Sequence, residues 1–591
     1  MYRKEQFRST PLDKANLFNI YFCDQFSEQS SYKFDFDFSG EDKYDINFCP
    51  RHIETLLSQI NSNKANGPDK IHGKILKNCS SSLAYPFSIM FGVSYNTGIV
   101  PKEWKLANVV PIHKKGPKEN IENYRPISLT SLVIKTFEKI VKDKLLSLTS
   151  HHLNDLQHGF LGKKSCSTNL AVLCDNLALS LNDCARTDVV YFDFAKAFDS
   201  VNHDLLLCKL KRYYKIDGRL LKFLKNYLCD REQQVVVGNS ISSRSKVLSG
   251  VPQGSILGPI LFVLFINDLP DGLSPGTDAS MYADDTKISR TINEESDHAT
   301  LQSDINYLHN WSLTNKMNFH PQKCKVLSVA NRPPPLLDDL PFIQYFYMLG
   351  ENILDYTKGE RDLGVDTNTT LNFSEQCERL LSKANQQFGL TKRTCYFVND
   401  FRRKRTLYLS LIRSQFEHCS QIWRPTNKTM LAKFESFQKK CIKWILNEEP
   451  LHYSNDIYLH KCRQARLLPI EKRFDFNDLV MFYKVVNNRI PLNLPPYLKF
   501  FDGISRLRSC HLDAFSLISE IKPKTSAVFS DNKNSALNKS FFYRTHLLWN
   551  RLPLDIRALI SLSMFKNKLL KYMWDCVTDN SEVSDSDILL N

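Results

Sequence analysis

Sixteen cysteines are scattered along the 591 residues without a single Cys-x-x-Cys pair. That argues against a zinc knuckle or ribbon and fits reduced thiols in an intracellular protein. Long apolar runs are also missing. The longest, Ile260 to Ile266, is far shorter than the ~20 residues a membrane helix needs, and Met1-Tyr2-Arg3-Lys4-Glu5 is charged where a secretory signal would be apolar, so no membrane partner is expected. No internal repeat is present, which removes solenoids and arrays. Acidic residues are in the minority. The 78 Lys and Arg outnumber 63 Asp and Glu, and the net charge of +15 with a pI near 9.0 points to a polyanionic partner. The run Arg402-Arg403-Lys404-Arg405 reads equally as a nuclear import patch or as a basic helix facing nucleic acid. A 42% apolar fraction is ordinary for a globular chain, and the length suggests about four domains.

Against that background, one tetrapeptide carries chemistry. Tyr282-Ala283-Asp284-Asp285 puts two carboxylates at a tight turn between two strand-like segments, Ser280 to Ala283 and Thr286 to Ser289, a hairpin that lifts both acids to its tip. Upstream, the β-branched and aromatic run Val189 to Phe192 reads as a strand, and Ala195 to Phe198 begins a helix-favouring stretch. Asp193 therefore stands where strand hands over to helix. Three such acids suit a pair of divalent cations, one activating a 3′-hydroxyl and the other holding a triphosphate. Oxygen ligands favour Mg²⁺. This is the signature of a nucleic-acid polymerase, with Asp193, Asp284 and Asp285 as metal ligands and catalytic residues.

Other segments add to it. Gly250-Val251-Pro252-Gln253-Gly254 packs two glycines around a proline and an amide, as a loop needs where backbone approaches a ligand closely; a plain turn is the alternative. Arg125, restrained to extended backbone by Pro126, projects a guanidinium fork suited to phosphate. Lys114 and Lys115 read as nucleic-acid contacts or as a solvated face.

These segments occur in a particular order. Ala15 to Phe22 is followed by Lys64-Ala65-Asn66-Gly67-Pro68-Asp69, Pro111 to Gly116, Asn123-Tyr124-Arg125-Pro126-Ile127-Ser128-Leu129 and Phe192 to Asp199. Then come Gly250 to Ser255, the Tyr-Ala-Asp-Asp box, Arg361-Asp362-Leu363-Gly364-Val365 and Trp549-Asn550-Arg551-Leu552-Pro553. In that order they resemble the reverse transcriptases of non-LTR retrotransposons of the jockey and CR1 type. The resemblance implies an α+β right-hand polymerase with a helical C-terminal extension, working as an RNA-directed DNA polymerase. It implies Mg²⁺, with Mn²⁺ able to substitute, and as partners an RNA template, a DNA primer, deoxynucleotides, and the element's own RNA in a ribonucleoprotein of nucleus and cytoplasm. It makes Phe194, Phe198, Gln253, Gly254 and Arg125 nucleotide-binding candidates. Phe198 is either a steric gate under the incoming sugar or an ordinary core ring. Lys323, with Lys325 as the alternative alignment, resembles the family's lysine near the leaving pyrophosphate, where an acid eases departure.

The domains expected are a connecting segment at 1–50, fingers at 51–185, palm at 186–330, primer grip and thumb at 331–450, a helical extension at 451–575, and a disordered acidic tail at 576–591. The box at Ala15 to Phe22, which in the family follows an endonuclease, already starts at residue 15, so no nuclease is expected ahead of it. Group II intron and telomerase-like enzymes are the polymerase rivals. A decayed copy that only binds RNA is the rival of another class.

Overall fold

The computed structural model describes residues 2–3, 6–7, 10–27, 38, 45–331, 345–448, 454–501, 514–521 and 535–576. The Pro-rich Arg332 to Pro335 break and nearly all of the acidic tail lie outside them. The fold is α+β. Among the described residues no helix is long and apolar enough to cross a membrane.

The strand Arg186–Phe192 is the middle of a five-stranded sheet. Asp285–Ile292 runs antiparallel on one side, with Thr277–Tyr282 beyond it. Lys325–Val329 runs antiparallel on the other side, with Asp355–Tyr356 beyond. Successive side chains of a strand face opposite ways, and both faces here are covered. Val189 meets Leu173, Leu177 and Leu181, spaced four apart on the helix Cys166–Asn182, while Val190 and Phe192 enter the main core. That core also takes the helix Leu257–Ile266, which is apolar all round and buried on every side except at Pro259, as such a helix must be.

A second sheet has Leu106–His113 at its centre, antiparallel to Tyr124–Leu129 and parallel to Arg231–Val237. Residues 231–247, which lie within the interval assigned to the palm from sequence, thus join a sheet begun more than a hundred residues earlier. A parallel pair requires a long crossover, and here the start of the carboxylate sheet is part of it. The helix Pro11–Cys23, in the segment read as a connector, docks Leu17, Phe18 and Phe22 on Val109 and Val235 of this sheet and on Ile121 in the turn before Tyr124.

The C-terminal half builds its own core around Tyr408, Phe416, Trp423, Phe434, Phe474, Phe482 and Trp549. Helices dominate it, including Ser374–Thr394, Phe401–Leu407, Lys428–Leu446 and Ile470–Val486. Between the two halves, Gly359–Asp362 and Val365–Asn368 form a hairpin. Leu363 and Gly364 are its turn, both at positive φ (47° and 88°), as a type I′ connection requires.

Candidate active site

Tyr282 pairs with Asp285 across the hairpin, so the two-residue turn is Ala283-Asp284. Asp285 opens the second strand and does not share the tip as the sequence suggested. Phe192 lies opposite Thr286, so Asp193, one residue further out, comes level with Asp285. Register thus carries the three acids to the same end of the sheet.

Ala283 holds a left-handed φ of 56°, uncommon for a residue with a Cβ, and a neighbouring loop holds it there. The Gln157 side-chain oxygen accepts from the N–H of Ala283 (2.8 Å) and of Gly159 (2.7 Å), and the His158 N–H donates to the Met281 carbonyl at 2.8 Å. A Cβ on Gly159 would stand 2.3 Å from the Ala283 nitrogen. Gly159→Ala is therefore expected to displace the carboxylate turn and slow any reaction that these acids carry by about 100-fold, the usual consequence of an ångström-scale misplacement. Gly162→Ala, where a Cβ meets nothing within 4 Å, is the control, and equal rates for the two variants would refute the support role.

The acids shape one another's titration. Burial, then repulsion from Asp193, raises Asp284, with Arg125 and Lys114 opposing the rise. Asp285 keeps an open face to solvent, yet partial burial and then Asp284, Asp362 and Asp193 push it up to about 6. Lys323, on the turn Pro321–Lys323, places Nζ 2.9 Å from Asp193 Oδ2. Lys114 is lowered by burial and then by Arg125, so Arg125, Lys114 and Lys323 form one cationic rim beside the acids. Lys115 is exposed and touches this rim only by repelling Lys114.

The Gly250 to Gly254 loop lies against the residues that follow Asp193. The N–H of Val251 donates to the Phe198 carbonyl at 2.8 Å, and the Gln253 side-chain nitrogen reaches both Asp199 oxygens at 3.2 Å. Gly254 has φ 113°, and a Cβ there would meet the Ser128 carbonyl at 2.5 Å, so the close approach this glycine permits is to the chain's own backbone. Phe198 is half-buried, stacked on Phe262 (centroids 4.5 Å apart) and met edge-on by Phe160 at 5.9 Å. Phe194 is 4% exposed and stacks on Phe319, its side chain alternating to the core face.

Three features escaped the sequence reading. Asp199, which burial pushes up to about 6, orients Gln253; its place directly after Phe198 was the available signal. The segment Gln157-His158-Gly159 carries the turn, and only a glycine beside two polar residues hinted at it. Lys287 and Asp362 form a buried ion pair that ties the strand after the turn to the hairpin 359–368, with no local signal at all.

Among the described residues no three His, Cys, Asp or Glu side chains are gathered closely enough to hold an ion. The chemistry of the donors nevertheless fits a hard divalent cation: oxygen only, acids that repel one another, and an ammonium already drawn to Asp193.

Residues 112–371, which carry these strands, turns and cations, match the family described as reverse transcriptase (RNA-dependent DNA polymerase). The relatives the chain is similar to are RNA-directed DNA polymerases of transposons and mobile elements. It is 28% identical to the probable RNA-directed DNA polymerase from transposon BS of Drosophila melanogaster over 67% of this chain and 44% of that one. To the RNA-directed DNA polymerase from mobile element jockey of the same fly it is 25% identical, over 66% and 43%. The chain thus spans less than half the length of these relatives. Among solved structures, apo telomerase from Candida tropicalis, truncated from its C-terminal domain, aligns at a TM-score of 0.31 and 12% identity, over 49% of this chain and 59% of that one.

Proposed function

We propose that this chain is the polymerase of a non-LTR retrotransposon, adding deoxynucleotides to a DNA primer 3′-end on an RNA template. The observation that carries this reading is the convergence of Asp193, Asp284 and Asp285 at the end of one sheet, with Lys323, Arg125 and Lys114 as a cationic rim. In it, Asp193, Asp284 and Asp285 hold divalent cations, Mg²⁺ or in its place Mn²⁺. When bound, the ions supply charge neutralisation and a lowered pKa for the primer hydroxyl. Arg125 and Lys114 meet triphosphate oxygens, and Lys323, an ammonium beside Asp193, is the proton donor for the departing pyrophosphate. Asp199 holds the Gln253 amide in place, and Gln253 and Gly254 border the nascent base pair. Phe198 lies under the sugar. Lys115 is left to the solvated surface near the template.

The test is extension of a labelled DNA primer annealed to a longer RNA by the full chain. Product reaching the template's 5′-end is expected in Mg²⁺ or Mn²⁺, and RNA binding without extension in either ion would leave only the binding reading.

A second measurement concerns pH. A carboxyl raised in the folded state stabilises the fold most fully below its ordinary value of 3.8, and that contribution is lost as pH rises through about 6 for Asp285. At neutral pH the ionised acids repel, and a divalent cation relieves them. Mg²⁺ is therefore expected to raise the melting temperature of the full chain by several degrees at pH 7.5 and hardly at pH 5. Equal shifts at both pH values would count against these carboxylates as ligands.

A further inference from the structure

The turn between the helices Ser374–Thr394 and Phe401–Leu407 presents Tyr396 and Phe397 to solvent, 80% and 68% exposed. Their rings stand edge to face, with centroids 5.7 Å apart at 88°, so two aromatic faces point in different directions. Exposed cations flank them on both sides: Lys392 and Arg393 at the end of the first helix, Arg402 and Arg403 at the start of the second. The acid in the turn, Asp400, is committed to capping the second helix through the N–H of Arg403 at 2.9 Å. The next two basic residues turn inward. Lys404 donates to the Asn447 side chain and lies 5.2 Å over the Trp444 ring, and Arg405 donates to the carbonyls of Ala465 and Arg466 at 3.2 and 3.1 Å. Arg402 to Arg405 is therefore not a continuous exposed run, which tells against its reading as an import patch. Its outward half joins the aromatic tip.

We propose that this tip is a binding site for single-stranded nucleic acid, outside the carboxylate site. Unpaired bases stack on Tyr396 and Phe397, while Lys392, Arg393, Arg402 and Arg403 meet the phosphates. Stacked rings between cations are what a strand with free base faces needs, whereas a duplex keeps its base faces covered. Binding there requires neither the three acids nor a nucleotide.

The experiment is fluorescence anisotropy of the full chain with a 12-nucleotide oligo(U) RNA, the matching DNA, and a blunt RNA–DNA hybrid. Tyr396→Ala/Phe397→Ala is expected to weaken single-strand binding about 10-fold or more and hybrid binding less than about twofold, with the melting temperature unchanged because the rings lie outside the core. Tyr396→Leu/Phe397→Leu, which keeps apolar area without π faces, should not restore affinity. Arg402→Gln/Arg403→Gln should lower the slope of log affinity against log salt by about 1.4, since each phosphate of a single strand that an arginine neutralises adds roughly 0.7 to it. Equal loss on both single strands marks stacking alone, and greater loss on RNA adds recognition of the 2′-hydroxyl; both support the site. No loss on either single strand, or equal loss on the hybrid, overturns it.

Discussion

Asp193→Asn is expected to reduce primer extension by at least about 10³-fold, as when one member of a catalytic unit is removed, while RNA affinity stays within a few-fold. Asparagine keeps the volume and removes the charge that a cation would share with Asp284 and Asp285. The ion pair to Lys323 is lost as well, but both partners are well exposed (58% and 41%), and such pairs contribute at most about 1 kcal/mol, so folding should survive. Asp284→Asn is expected to match it. Asp285→Asn should cost less, because Asp285 opens a strand and does not sit in the turn. Single-turnover extension beside an RNA-binding titration decides the matter: an Asp193→Asn chain retaining more than a tenth of the parent rate would remove Asp193 from the reaction.

Phe198→Val is expected to shift the ratio of ribonucleotide to deoxynucleotide incorporation toward ribonucleotides by about 100-fold, a difference of about 2.7 kcal/mol between the two transition states. The ring is positioned for this by Phe262, stacked on one face at 4.5 Å, and by Phe160 at its edge, so it has little freedom to yield to a 2′-hydroxyl. In the proposed function this is discrimination by collision. Losing the ring also removes packing against the core, at a cost of about 1–3 kcal/mol. The readout is accordingly the ratio of kcat/KM for the two sugars, which a general loss of stability does not alter. An unchanged ratio would make Phe198 a core phenylalanine and nothing more.

Much of this protein was legible along the chain. The β-branched and aromatic run before Asp193, the paired acids after Tyr282, the apolar run Ile260 to Ile266 and the excess of Lys and Arg are local or additive properties. Strand, turn, buried apolar run and polyanionic partner follow from them without knowledge of what packs where. The ordered boxes then identified the polymerase class.

Other features had no local cause. That Asp193 comes level with Asp285 depends on the antiparallel register of two strands more than ninety residues apart, and register is set by which faces both strands bury. That Ala283 tolerates a left-handed φ depends on Gln157 and on the absence of a Cβ at Gly159. Phe194 fell to the core, and Phe198 remained half-exposed, because side chains that share a motif can face opposite ways. The terminal box Trp549 to Pro553, conspicuous in the sequence, turned out to hold a core: Trp549 is buried with its ring N–H on the Phe515 carbonyl at 2.9 Å, and Asn550 exchanges hydrogen bonds with the backbone of Leu517 at 2.9 and 2.7 Å. Lys287 met Asp362 only because two hairpins pack together. The sequence by itself determined the chemical groups and the elements that carry them. Which groups meet, and which of the basic residues remain free to meet nucleic acid, was decided by long-range pairing and burial, which no short window of residues encodes.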